Sequence, residues 1–76
     1  MENRKKLSEQ LGNGIRTVRK EKKLTQLQLA ELTGIPRSLI TRYELGTVEI
    51  GMPIFVTICD GMNVSPAYVL QKAGFE

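Results

Sequence analysis

The sequence predicts an all-α domain of five short helices, and three observations carry that prediction. Apolar residues recur at three- and four-residue spacing in Leu7, Leu11, Ile15 and Val18, and Leu29, Ala30 and Thr33 share one face at the same spacing, which is the period of a helix. Residues that start and stop helices punctuate the chain at Thr25, Gly34, Pro36, Gly46, Ser65, Pro66 and Gly74. With 76 residues, 41% of them hydrophobic, there is material for one small core; a domain of this size buries only about 60% of the surface its unfolded chain exposes. Repeats, low-complexity tracts and an interdomain linker are absent, so residues 1–76 read as a single domain.

The first helix is expected from about residue 7 to residue 22, its apolar stripe surrounded by charges. Gly12 and Gly14 each lower its propensity by up to about 1 kcal/mol, which predicts a frayed or bent first half. The second helix, about residues 25–33, starts on the Thr25 hydroxyl as cap and stops at Gly34, where glycine takes a positive φ without steric cost. Pro36 suits the first turn of a third helix, about residues 36–45, because its missing N–H would be unpaired there anyway. In that helix Ile35, Ile40 and Tyr43 form an inward stripe and leave Arg37, Ser38, Thr41 and Arg42 on an outward, polar and basic side.

A fourth helix is expected over about residues 52–61, with Pro53 tolerated in its first turn and Phe55, Val56, Ile58, Cys59 and Met62 as its apolar content. Ser65 as cap and Pro66 as first residue open a fifth, about residues 65–73, closed by Gly74. Leu24 is expected to pack beneath the turn into the second helix. Leu27 and Leu32 are expected to be extra core.

Composition narrows the function. One cysteine and no histidine exclude a disulfide framework or a Cys/His zinc site within one chain, so neither metal nor cofactor is expected, and the compartment reads as reducing. Cys59 reads as a small buried residue, since no histidine exists to activate it. Asp60 has no second carboxylate near it in sequence and no phosphate-binding glycine loop is present, so the chain is not expected to be an enzyme. No apolar run approaches the roughly 20 residues of a membrane span, and the polar start MENRKK lacks the apolar core of a signal peptide; no membrane association and a cytoplasmic location follow as expectations. The net charge of +3 is unevenly spread: from Met1 to Leu24 eight Lys or Arg stand against three Glu, a net +5, and the remainder carries −2. Such a segment suits attraction to phosphates, although a solvated charged helix explains it equally.

The stretch from Thr25 to Gly46 reads as two short helices joined by a tight turn. Within it Thr25-Gln26, Leu29-Ala30, Gly34, Ile35, Ser38, Ile40, Arg42-Tyr43-Glu44 and Gly46 stand in the register TQ-x-x-LA-x-x-x-G-[VI]-x-x-S-x-I-x-[RQ]-[WYL]-E-x-G. In this set the chain resembles the Cro/C1-type helix-turn-helix repressors, the XRE family, with looser similarity from about Leu11 to Leu70. The resemblance implies a compact, λ-repressor-like fold and double-stranded DNA as partner. It also implies that Arg19 pairs with Glu44, tying the first helix to the recognition helix; read alone, Arg19 could equally be an exposed phosphate-binding arginine. Gln26 sits by the free N–H groups of a helix start, a natural phosphate site, and the matching family glutamine clamps the DNA backbone, against the plain alternative of a helix-start glutamine.

For base contact the candidates are Pro36, Arg37, Ser38, Thr41 and Arg42. Arginine can donate two parallel bonds to guanine O6 and N7, and serine and threonine make small versatile contacts. Arg37 comes first, because the helix N-terminus is the end that meets base edges; Arg42 could serve a base or a phosphate. Pro36 and Leu39 could touch a thymine methyl, Leu39 being equally suited to packing. Phosphate contacts are expected from Gln26, Arg16 and Lys23. Leu45 and Glu49 depart from the family, whose members usually carry a polar residue at the first position and often a basic one near the second.

At the C-terminal end Val64, Tyr68, Val69, Leu70 and Phe75 form more apolar surface than a short last helix can bury, which predicts a homodimer interface; alternatively Tyr68 and Leu70 complete the monomer core. The expected function is a sequence-specific transcriptional regulator, a homodimeric repressor on a roughly palindromic operator. A restriction-modification controller or an antitoxin autorepressor would bind in the same way, and a protein-interaction module is the competing class. Activation would require contact with RNA polymerase, for which the sequence shows no patch.

Overall fold

Five helices follow one another in the computed structural model, which describes residues 2–75: α1 (Glu2–Glu21), α2 (Gln26–Thr33), α3 (Arg37–Leu45), α4 (Met52–Gly61) and α5 (Pro66–Lys72). No strand is present among the described residues. α1 packs against α3 and α5, α2 against α3 and α4, and α4 against α5. Between them lie Ile15, Val18, Leu29, Ile40, Ile58, Cys59, Met62 and Val69, all shut off from solvent. No described helix is long and apolar enough to cross a membrane. Burial, with Asp60 beside it, pushes the Cys59 thiol up to about 11, so it stays un-ionised at neutral pH and inert.

α1 is one continuous helix that begins five residues before the predicted start, and its first half is not broken at the glycines. Gly12 and Gly14 are both buried. A Cβ on Gly12 would overlap the carbonyl oxygens of Tyr43 and Glu44, and one on Gly14 would lie 2.5 Å from the Cβ of Ala73. The glycines are therefore where α3 and the end of α5 lie directly against α1. Their low propensity acts within the helix, whereas the packing they permit comes from residues about 30 and 60 positions away.

Four of the apolar residues lie outside the core, which corrects the expectation for Leu27 and Leu32. Leu27 and Leu32 are 55% and 60% exposed, because α2 turns Leu29 and Ala30 into the core and these two leucines fall on the two flanks of that face. Leu7 is half exposed, since it lines an open groove with Leu11, Ile50, Leu70 and Phe75 rather than the closed core. Val56 faces outward from α4, while Phe55, Ile58 and Cys59 face inward.

The helix ends explain themselves locally. Thr25 Oγ1 accepts from Gln28 N–H at 3.0 Å, and Gln28 Oε1 accepts from Thr25 N–H at 2.9 Å, a capping box that occupies two otherwise free donors. Ser65 caps α5 through a bond from Tyr68 N–H. Pro36 stands one residue outside α3, as its cap. Gly34 and Gly46 take φ values of 75° and 76°.

Lys23 takes φ 59° without being glycine. Its N–H reaches Lys20 O at 3.0 Å and the Leu24 N–H reaches Arg19 O at 3.1 Å, the bond pattern that closes a helix through a left-handed residue. Replacing Lys23 by glycine relieves that backbone and is expected to stabilise the fold by roughly 1 kcal/mol, seen as a higher melting temperature. A lower one would show that the lysine side chain holds the turn.

Candidate nucleic-acid interface

The capping box places Gln26 as the first residue of α2, with its side chain turned toward α3. Gln26 Nε2 donates to Glu44 Oε1 at 3.0 Å, and Gln26 Oε1 accepts from the Thr41 hydroxyl at 2.7 Å. Glu44 also accepts from Arg19, from Nε to Oε2 at 2.6 Å and from Nη2 to Oε1 at 3.1 Å, while Arg19 Nη1 donates to Leu24 O at 2.7 Å. Arg19 and Glu44 are 7% and 8% exposed. One chain of bonds therefore joins α1, the turn after it, α2 and α3. A buried pair of this kind holds orientation more than it adds net stability, because desolvation offsets much of the attraction. No buried side-chain polar atom among the described residues is left without a partner.

The network fixes what faces outward. Ile40, Tyr43 and Glu44 of α3 are buried, and Arg37, Ser38 and Arg42 are exposed with Pro36 beside them. Thr41 is half-buried and gives its hydroxyl hydrogen to Gln26, so it positions the helix pair and keeps only an acceptor and a methyl for anything else. Leu39 packs against the core. Leu45 stands outward on the same face as Arg37 and Ser38, 62% exposed.

Arg16, Arg19, Gln26, Thr41, Glu44 and Leu45 surround an open depression of about 250 Å³. Arg16, on α1, and Gln26, on α2, thus border one hollow at the N-terminus of α2. Gln26 Nε2 keeps a second hydrogen beyond the one given to Glu44, and Arg16 is exposed and without an ion pair among the described residues. Lys23 is exposed in the turn before α2, outside the hollow. Glu49, the acidic residue of the loop after α3, pairs with Arg4 of α1 at 2.6 Å. Both side chains are mostly exposed, so the bridge contributes little stability, but it partly neutralises the carboxylate. Nothing in the residue pattern linked Arg4 to a loop 45 positions away.

The C-terminal candidates divide. Val69 is fully buried in the monomer core and cannot line an interface, which corrects its assignment: α5 turns this residue toward the enclosed core. Tyr68 is spoken for by α1, its hydroxyl donating to Glu21 at 2.7 Å with the Lys72 ammonium 5.5 Å above its ring. That bond, with Lys72 beside it, holds the Glu21 carboxyl below its ordinary value. Val64 is half-buried against the core. Leu70 and Phe75 line an open apolar groove of about 340 Å³ with Leu7, Leu11 and Ile50, flanked by Arg4 and Glu49.

Residues 15–69 match the helix-turn-helix family HTH_3. The chain is 40% identical over 55 residues to antitoxin PezA of Streptococcus pneumoniae, a match covering 72% of this chain and 35% of that protein. It is 39% identical over 57 residues to the HTH-type transcriptional regulator YqaE of Bacillus subtilis, covering 75% of this chain and 49% of that one. The matched stretch therefore spans less than half the length of either relative. Among solved structures, the clp gene regulator ClgR from C. glutamicum superposes with a TM-score of 0.86 at 29% identity, over 90% of this chain and 88% of that chain. The restriction-modification controller C.AhdI from Aeromonas hydrophila superposes with a TM-score of 0.77 at 24% identity, over 80% and 92%, a likeness of fold. The family and fold are those of DNA-binding regulators rather than enzymes. From the matched segment, the exposed basic face of α3 and the bonded α2–α3 pair, the chain belongs to the Cro/C1-type, or XRE, helix-turn-helix family of DNA-binding domains.

Proposed function

We propose that the chain is a transcriptional regulator of the bacterial cytoplasm that binds duplex DNA as a homodimer and represses by covering a promoter. The observation that carries this reading is the outward face of α3, on which Arg37, Ser38 and Arg42 are free while the Arg19–Glu44–Gln26–Thr41 network sets the helix against α2. In this reading Arg37 addresses a guanine, and Arg42 a second base or a phosphate. Gln26, Arg16 and Lys23 hold phosphates, which supplies most of the affinity and makes it salt-dependent. Two copies would set their α3 helices in successive major grooves about 34 to 36 Å apart. The second copy is best accommodated by the groove of Leu7, Leu11, Ile50, Leu70 and Phe75, since Val69 is unavailable and Tyr68 is engaged with α1.

Selection of bound sequences from a random duplex library, at two salt concentrations, tests this. An inverted repeat with half-sites about one helical turn apart is expected. Arg37→Ala should weaken binding by about 1–3 kcal/mol and relax preference at one position per half-site. Enrichment of nothing, with weak binding abolished by salt, would leave only general phosphate attraction. Sedimentation at tens of micromolar should give the mass of two chains for the parent and of one for Leu70→Glu; a single-chain mass for the parent, with and without DNA, would remove the dimer.

The likeness to PezA favours a second reading within this class, an autorepressor acting as the antitoxin of a toxin pair. A toxin gene beside the coding sequence would distinguish the two.

A further inference from the structure

We propose that Leu45 is a base-reading residue, which sets a thymine preference in each half-site through contact with the thymine 5-methyl group. The inference rests on the DNA-binding reading of α3. Single exposed leucines are ordinary on protein surfaces; the position of this one is not. Residues 37, 41 and 45 follow one another at four-residue intervals, so Leu45 ends the row that Arg37 begins and lies between Thr41 and Ser38 around the helix. It is 62% exposed, while the middle member of the row, Thr41, has committed its hydroxyl to Gln26. The free tips of the row are therefore Arg37 and Leu45. Eight residues at 1.5 Å each separate them by about 12 Å along the axis, or three to four base steps of about 3.4 Å.

Leu45 also borders the hollow shared by Arg16 and Gln26. A phosphate held there brings the leucine methyls toward the edges of the adjoining bases. In the major groove the base edges offer nitrogen and oxygen donors and acceptors and one apolar group, the thymine methyl. A leucine against any other base edge strips water from polar atoms and returns no hydrogen bond. Against thymine it buries a methyl on each side. The side chain that departs from the family pattern thus supplies specificity where relatives usually carry a polar residue.

The test uses the operator obtained by selection, with each thymine replaced in turn by uracil, which lacks only the methyl. At one thymine per half-site, three to four steps from the guanine whose preference Arg37→Ala relaxes, uracil should weaken the parent protein about fourfold, the affinity equivalent of one buried methyl. Leu45→Ala should bind thymine and uracil operators equally at that position and as tightly as the parent binds uracil. Leu45→Asn, which offers an amide better suited to adenine, should also lose the thymine preference. Uracil costs that are the same in parent and variants at every thymine would overturn the proposal, as would a uniform loss in Leu45→Ala across all sequences, the mark of a backbone contact. An operator with its guanine preference intact and equal uracil costs would overturn the role of Leu45 alone; failure to enrich any operator would overturn the DNA-binding reading and this inference with it.

Discussion

Glu44→Gln is expected to lower the unfolding free energy by about 3 to 5 kcal/mol, the cost of leaving one member of a buried ion pair without its counter-charge. Glutamine keeps the shape of the side chain but removes its charge and turns an N–H group toward the donors of Arg19 or Gln26. Arg19, 7% exposed, would keep only the Leu24 carbonyl as a strong partner. At roughly 0.05–0.15 kcal/mol per residue, a domain of this length holds about 4–11 kcal/mol in total, so the variant should be near unfolding at growth temperature. Thermal melts should fall by at least about 12 °C, at about 4 °C or more per kcal/mol. An unmoved melting temperature would show the pair to be solvated.

The paired variant Arg19→Met with Glu44→Leu separates stability from function. Replacing both charges by apolar groups is often neutral, so the fold should recover most of the loss. Gln26, however, would lose the Glu44 oxygen that orients its amide. DNA affinity should therefore stay low in a protein that melts normally, and full recovery of both would show that the network does not position Gln26.

The second large effect is expected at Gly12. Alanine there would gain about 1 kcal/mol in helix propensity, yet its Cβ would overlap two carbonyl oxygens of α3. Those atoms belong to backbone and cannot rotate away, so α1 must lift from α3 and strain the Arg19–Glu44 bond two turns further along. Overpacking of this kind costs about 1–3 kcal/mol and occasionally more; with rigid backbone on the other side the cost lies at the upper end, and after the gain in propensity a net loss of about 1–2 kcal/mol is expected in denaturant melts. Gly51, the cap residue of α4 with only Pro53 Cδ at 3.9 Å from an added Cβ, is the control for steric overlap; alanine there should cost only the weakened cap, about 0.5–1 kcal/mol. A Gly12→Ala protein as stable as the parent would mean that α1 and α3 do not approach as closely as described.

Gly12 also shows where sequence reasoning stops. A glycine inside a helical pattern has one local meaning, lost propensity, and the opposite meaning when another backbone lies against it. Val69 and Leu70 are adjacent apolar residues, indistinguishable by hydrophobicity, but the packing of α5 on α1 and α4 buries the first and leaves the second on the groove. Leu27 and Leu32 suggested core because leucine usually is core, and α2 had already filled its inner side with Leu29 and Ala30. Thr41 stood on the outward side by spacing alone; only the arrival of Gln26 from α2, fifteen residues away, turns its hydroxyl from a probe into a brace. Lys23 carried no glycine signal for its left-handed turn, so its conformation was invisible beforehand.

What the sequence determined by itself is the number and order of the helices, most of their ends, and the exposed set Arg37, Ser38 and Arg42. These depend on caps, turn residues and periodicity, whose physics operates within about four residues along the chain. What only the tertiary structure decided is which apolar positions are enclosed, where glycine admits a neighbouring backbone, and which polar side chains are bound to one another. Those outcomes depend on contacts between residues 18 positions apart, as for Gln26 and Glu44, or 63 apart, as for Gln10 and Ala73. Chain closure over such distances is set by the combined packing of all five helices, and no local spacing encodes it.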